Sequence, residues 1–435
     1  MIDRILPGFA ALDLGATKLF AATANAPVQA FDTFTSALRS LSLWLKEQQV
    51  HSVAMEATGV YWIPVHDQLQ SAGFQVTLFH GAHARNLPGR KSDVSDCQWH
   101  AMLHSHGLLR SCFIPPEPIR KLRSFYRLRE DHLSMATTHI LHMQRALDLM
   151  NVRLHQVLSQ IHGVSGLRVI DAILAGERDP QVLAALCESQ ILKKKKTAVF
   201  QSLEGDWQEH HLFALRQAVE AYRFYHQQIA ACDAQVEALL QALNAARPLQ
   251  TPKPGQKVKI VRHNAPQIAN LHGLLLTLAE GCDATLLPGI APLGWMKLTG
   301  EVGFDLSAFP SEQHFVAWAG LAPQIHQSGR RHRRRPRSKT KVGQIFREAA
   351  MSIAKGKYLA LSGFYKRIKG RRGAPVAIVA TARKLAVLFY RVMTRGLAYV
   401  ERGLAQYEAN YRAQTERHLR KMAARLGFNL QPINA

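Results

Sequence analysis

Residues 8–34 read GFAALDLGATKLFAATANAPVQAFDTF, and in them short apolar runs alternate with turns. The runs GFAALDLGA, KLFAATA and VQAFDTF are divided by Gly15-Ala16 and by Asn25-Ala26-Pro27, a pattern that predicts three consecutive strands in a hairpin meander. Working outward, TSALRSLSLWLKEQQ predicts a helix with Thr35 or Ser36 as its cap and Leu38, Leu41, Trp44 and Leu45 along one face. HSVAMEA then predicts a strand, VYWIPVHDQLQSAG a helix, FQVTLFHG a strand and DVSDCQWHAMLHSHG a helix. The resulting order is three strands, helix, strand, helix, strand, helix.

That order is the ribonuclease H-like α/β arrangement, an antiparallel meander extended by parallel strands. A dinucleotide-binding domain is the competing α/β reading, and it is weaker because Gly15 stands alone, with no G-x-G-x-x-G after the first strand. The acidic residues fall where a ribonuclease H-like fold needs them. Asp13 closes the first strand and Glu56 the fourth, while Asp93 and Asp96, three apart, share a face of the last helix. Each has a plainer role open to it: Asp13 and Glu56 as turn residues, Asp93 as a helix cap, Asp96 as a first-turn acid. Four converging carboxylates repel one another without a cation, so their joint placement predicts a magnesium site for phosphoryl transfer.

The DLG opening, MEATGVYW and RKSDVSDCQW resemble the DEDD transposases of the insertion sequence 110 family, whose catalytic domain is similar to that of Holliday junction resolvases. The resemblance implies a catalytic, metal-binding tetrad of Asp13, Glu56, Asp93 and Asp96, with Mg2+ as cofactor. Lys91-Ser92-Asp93 stands where the family typically has Lys-Thr-Asp. Arg90 and Lys91 beside the tetrad are either phosphate contacts or solvent-facing charges.

The chain has 435 residues and a formal net charge of +24, from 55 basic and 31 acidic residues, which points to a polyanionic partner. No stretch of 18 apolar residues is present and the N-terminus lacks a leader pattern, so no membrane and a cytoplasmic location are expected. The five cysteines are scattered; Cys97 and His100 have no second pair to complete a zinc site, and they read as a buried thiol and an ordinary helix histidine.

Four segments are expected: a catalytic domain over 1–115, a long helical or coiled-coil region over 116–250, a mostly helical transposase domain over 267–415 and a tail over 416–435. Residues 117–161 carry no glycine or proline after Pro118 and repeat apolar residues every three or four positions, predicting one very long helix. Residues 207–243 are its partner in an antiparallel pair. Between them lies a breaker-rich segment, then Lys193–Lys196, either a nucleic-acid contact or a solvated face. LLPGIAPLGWMKLTGEVG is helix-hairpin-like, its glycines serving either a phosphate-binding turn or a packed one.

Residues 320–341, GLAPQIHQSGRRHRRRPRSKTK, are the most basic stretch, and a run of this kind is expected to gain order when phosphates neutralise it. Arg330, Arg331, Arg333, Arg334, Arg335, Arg337, Lys339 and Lys341 are its candidate nucleic-acid contacts. Gly320, Leu321, Pro323 and Gly329 match the family's Gly-Leu-x-Pro and Ser-Gly motifs, so the resemblance implies that Ser328 is the nucleophile that links covalently to DNA. Ser338, in a run that departs from the family pattern, ranks below it. VAIVATARKLA resembles the family's closing helix, and Arg383 and Lys384 there either touch nucleic acid or flank an apolar face.

The resemblance thus implies a transposase that cuts and rejoins donor and target DNA through a phosphoserine intermediate, assembles as a dimer or tetramer, and uses an element-encoded bridge RNA. A site-specific DNA invertase or a junction-resolving nuclease would use the same tetrad. A non-catalytic basic RNA-binding scaffold would use none of it.

Overall fold

A computed structural model describes residues 7–81, 93–252, 258–259, 263–323, 325–328, 331–334, 340–356, 359–396, 409, 412–413, 416–429 and 431. The chain forms two compact units, Met1–Ile114 and Pro115–Ala435.

In the first unit β1 (Phe9–Leu14), β2 (Lys18–Thr23) and β3 (Gln29–Asp32) make the antiparallel meander, and β4 (Ser52–Glu56) and β5 (Gln75–Phe79) extend it in parallel, giving the order β3-β2-β1-β4-β5. The first turn needs Gly15: its N–H donates to Lys18 O at 2.9 Å, and a Cβ there would lie 2.7 Å from that oxygen. The sheet is covered on both faces. On one, Leu38, Leu41 and Leu45 of α1 (Thr35–Glu47) and Val65 and Leu69 of α2 (Trp62–Ser71) pack on Leu12, Leu19, Val53 and Met55. On the other, Cys97 and Ala101 of α3 (Asp93–Ser105) pack on Phe9, Ala11, Ala54 and Phe79. Helix α1 starts at Thr35 itself, with Phe34 in the capping position, so the expected Thr35 or Ser36 cap is not formed.

Burial holds α3 against the sheet through polar contacts as well. His104 is buried and shares a 2.8 Å hydrogen bond with Ser52 Oγ of β4, and burial lowers its pKa below 6.5. A histidine whose folded pKa is lowered binds its proton more readily when unfolded, so its contribution to stability is complete above about 6.5 and is lost as pH falls below it. Thermal melting at pH 7.5 and 5.0 should therefore show the parent losing more stability on acidification than His104→Gln, and equal losses would overturn this.

In the second unit α4 (Glu117–Leu149) and α9 (Glu209–Asn244) form the antiparallel pair, with Arg129 opposite Asp233 and His139 opposite Tyr225. The single helix expected over 117–161 instead ends at Leu149, where Asn151 takes a left-handed φ of 54°. The reversal has a packing reason: it turns Val152 and Leu154 into the core beside Leu147, Leu203 and Leu215. The breaker-rich segment folds into α5 (Leu154–Val157), α6 (Val164–Leu174), α7 (Pro180–Ala185) and α8 (Ser189–Leu203), with Gly163 capping α6 and Gly176 following it. Lys193–Lys196 lie exposed on α8, and Lys195 donates to Val157 O at 2.9 Å.

Beyond the pair come α10 (Leu271–Leu278), α11 (Pro292–Val302), α12 (Glu312–Trp318), a hairpin of β6 (Ile325–Ser328) and β7 (Arg331–Arg334), then α13 (Lys341–Lys355), α14 (Leu359–Arg372) and α15 (Ala374–Arg395). Phe315, Phe346 and Phe389 meet at the centre of this part, and Arg391 grips Glu312 with two bonds of 2.6 and 2.7 Å. Two buried polar clamps fix it to the root of α4. Glu301 of α11 accepts from Arg127 at 2.8 and 2.9 Å and from Tyr126, while its carbonyl accepts from Arg123 at 2.5 Å. Asp233 of α9 accepts from Arg129 Nε at 2.5 Å and from Gln267 N at 3.0 Å, and Arg129 also donates to Asn264 O at 3.0 Å.

Candidate active site

Successive side chains of a strand point to opposite faces. Phe9 and Ala11 of β1 face α3, and so, two residues on, does Asp13; in β4 Ser52 and Ala54 face α3, and so does Glu56. The strands are parallel neighbours whose paired positions run to Leu12 and Met55, so Asp13 and Glu56 are the next pair, at the ends of two adjacent central strands. Both are half-buried. Gly81, just past β5, makes room for this: a Cβ there would overlap the Glu56 carboxylate, so the missing side chain is the space the carboxylate occupies. Gly81→Ala should therefore displace that carboxylate while leaving the fold intact, since the displaced atoms are the far end of a flexible side chain and not backbone. The expected result is a loss of roughly ten- to a hundred-fold in DNA cleavage with a melting temperature close to the parent's; parent-like cleavage would show that the carboxylate's position does not matter.

Helix α3 brings the third acid. Cys97 Sγ donates to Ala11 O and Phe20 O, both at 3.2 Å, which seats the helix over β1 and β2 just beyond Asp96. Burial, with the Asp13 charge adding to it, pushes the Cys97 thiol up to about 12, so at neutral pH it stays protonated. One turn beyond Asp96, His100 packs edge-on against Phe79 at 4.9 Å between ring centroids. Burial lowers its pKa, and the Glu56 and Asp96 carboxylates oppose that shift, so the neutral imidazole stands within reach of both charges. Its Nδ1 is buried with no hydrogen-bond partner among the described residues.

Asp93 is the first residue of α3, and its side chain lies outside the described residues, as do Arg90 and Lys91. Among the described residues no three His, Cys, Asp or Glu side chains gather into a metal site. The carboxylate oxygens at the strand ends, one of them cradled by a glycine, are the donor type that a hard divalent cation takes. His100 and Gly81 were not among the sequence candidates. The i, i+4 spacing of Asp96 and His100 was the available signal for the first; the contact of Gly81 with Glu56 is tertiary and leaves none.

The sequence candidates of the second unit divide. Ser328 ends β6 and pairs with Arg331 of β7, which Arg333 and Arg334 continue. The basic run that was expected to lack order alone thus contains a two-stranded hairpin. Arg330, Arg335, Arg337, Ser338 and Lys339 lie outside the described residues. Lys341 is exposed at the start of α13, whereas Arg383 and Lys384 are half-buried on α15, with Lys384 Nζ 4.4 Å from the centre of the Phe364 ring. In the helix-hairpin-like stretch Gly289 and Gly300 are packed, while Gly294 faces open space. A Cβ at Gly300 would lie 2.8 Å from the Tyr126 ring, and one at Gly289 would lie 2.6 Å from Ala349 O, so these glycines serve close approach.

A covered β-meander sheet with acids at the ends of its central strands, and a further acid on the helix across that face, defines the ribonuclease H-like class of metal-dependent nucleases and strand-transfer enzymes. A family model for the DEDD transposase domain of IS110 matches residues 12–152, and one for transposases of the IS116/IS110/IS902 family matches residues 284–365. Together the two matches span more than half of the chain, which belongs to the IS110 family of transposases. Over 122 residues the chain is 31% identical to the pilin gene-inverting protein of Moraxella bovis, and it is 31% identical to that of Moraxella lacunata over a stretch of the same length. The aligned stretch is 27% of this chain and spans 37% of each relative. No helix among the described residues is long and apolar enough to cross a membrane.

Proposed function

We propose that the protein is a site-specific DNA recombinase that cuts and rejoins strands, with magnesium held by Asp13, Glu56, Asp93 and Asp96. The observation that carries the reading is the pairing of the Asp13 and Glu56 positions at the ends of adjacent parallel strands, on the face covered by α3. Bound there, the cation would offset the repulsion among the carboxylates and polarise the phosphoryl oxygens. The pilin gene-inverting relatives favour inversion of a DNA segment over its insertion elsewhere as the outcome.

In this reading Ser328 Oγ bonds to phosphorus, its proton passes to solvent, and the displaced DNA oxygen leaves with the bonding electrons and takes a proton from solvent to become a hydroxyl. The product is a phosphoserine diester. Rejoining reverses the roles: a DNA hydroxyl attacks the same phosphorus and Oγ leaves. Lys341 and the arginines of β7 bind backbone phosphates, as do Arg90, Lys91 and the run beyond β7, and Arg383 and Lys384 of α15 add further basic charge. The family resemblance further supports assembly as a dimer or tetramer and guidance by an RNA encoded beside the gene.

The test is a denaturing gel of the full chain with duplex DNA from the sequence flanking its coding region, transcripts of that region, and magnesium. A slow protein–DNA adduct that forms with the parent and is lost in Ser328→Ala and in Asp13→Ala supports the reading. Cut DNA without an adduct, insensitive to the serine change, would instead make water the nucleophile.

A further inference from the structure

Between Glu56 and α2 the chain runs Ala57-Thr58-Gly59-Val60-Tyr61, and it leaves large apolar groups in water: Val60 is 68% exposed, Tyr61 45% and Ile63 38%. The exposure does not come from a loose segment. Ala57 N donates to Phe79 O and Thr58 N to Glu56 O, both at 2.9 Å, Tyr61 N to Thr58 O at 3.3 Å, and Ile63 N to Val60 O at 3.2 Å. The turn is therefore anchored to β5 and to the carbonyl of Glu56 itself. Gly59 adopts a left-handed φ of 53°, and the Tyr61 ring lies back over it, 3.7 and 3.8 Å from where a Cβ would stand. The next residue, Trp62, goes the other way and packs on the core beneath α1 and α2. One aromatic ring thus packs half-buried against the core, and its neighbour is held out at the carboxylate end of β4.

Exposed apolar side chains held in place at 60, 61 and 63 on a strongly basic chain ask for a partner whose surface is apolar where they meet it. Beside a phosphodiester that surface is the nucleobase: it is one sugar away from the phosphorus and is the apolar part of an otherwise charged polymer. An exposed ring and a branched aliphatic side chain are the residue types that stack on bases and part a base step. We propose that Val60 and Tyr61 form a wedge that unstacks the base step beside the scissile phosphate, with the Tyr61 ring stacking on the base it exposes. The proposal rests on the strand-cleaving reading of the Glu56 site.

The wedge makes a prediction about the substrate as well as the protein. Its work is the disruption of a base step, so a substrate whose step is already disrupted needs it less. On a matched duplex spanning the cleavage position mapped with the parent, Tyr61→Ala should cut at least about five-fold more slowly, and Val60→Ser should show a smaller loss. On the same duplex with two mismatched pairs beside that position, both losses should shrink severalfold, and Tyr61→Phe should restore most of the rate on matched DNA. Equal losses for Tyr61→Ala on matched and mismatched duplexes, or none on either, would overturn the wedge. A change in oligomeric state caused by Tyr61→Ala, with cleavage of both duplexes falling together, would make these side chains a protein contact and overturn it too. Glu56→Gln in the same assay keeps the two ideas apart: undiminished cleavage by that variant defeats the strand-cleaving reading itself, whatever Tyr61 does.

Discussion

Glu56→Gln and Asp13→Asn are each expected to slow DNA cleavage by roughly two to three orders of magnitude, the scale set by removing one fixed electrostatic group from a phosphoryl-transfer site. Both substitutions keep shape and remove charge. Both positions are half-buried at strand ends, outside the apolar clusters on either face of the sheet, so the fold should survive them. Two carboxylates paired across adjacent strands repel one another until a cation offsets their charge. Magnesium supplies the control. It should raise the melting temperature of the parent, because a ligand that binds only the folded state stabilises it by mass action. It should do so less for either variant. An unchanged magnesium shift in both variants would mean that these carboxylates do not hold the cation.

The second large effect concerns stability. Arg129 is 2% exposed and Asp233 1%, and Asp233 also accepts the backbone N–H of Gln267. Asp233→Ala strands a buried guanidinium whose Nη1 already has no partner among the described residues, and it orphans that N–H. Breaking a buried pair by removing one member costs about 3–5 kcal/mol, because the remaining charge is left uncompensated. The paired replacement Arg129→Met with Asp233→Leu should recover part of that, since it removes both charges but leaves the Gln267 N–H and the Asn264 carbonyl without these partners. Urea unfolding of the three proteins measures the difference. A loss below about 1 kcal/mol for Asp233→Ala would show that water reaches the pair.

The sheet was legible because strand alternation has a period of two and glycine and proline mark the turns, so the positions of Asp13 and Glu56 followed once the strands were placed. The helices were legible as helices, but α4 was read too long: nothing local to Asn151 announces a left-handed residue, and the break is set by the core that Val152 and Leu154 enter. Glycine was the least readable residue. Gly289 and Gly300 fit a phosphate-binding turn and a close packing contact equally well until Ala349 and Tyr126 are seen against them. Gly81 carried no signal, since its purpose is defined by a carboxylate 25 positions earlier in the chain. The basic run around Ser328 was read for charge, and charge does not report strand pairing; the hairpin appears only when Ile325 is found opposite Arg334.

The grip on the root of α4 has a mechanical meaning. Within two turns, residues 123–130 are held by Glu301 from α11 and by Asp233 from α9, and Lys297 closes on Glu130 at the same level. From Glu130 the helix runs on to Leu149, a span of about 30 Å at the rise of an α-helix. The helical pair is thus a lever clamped at its base to the part of the chain that carries Ser328. A load on its tip, where α5 to α8 sit, is delivered as torque to that base and is not absorbed by a hinge along the way.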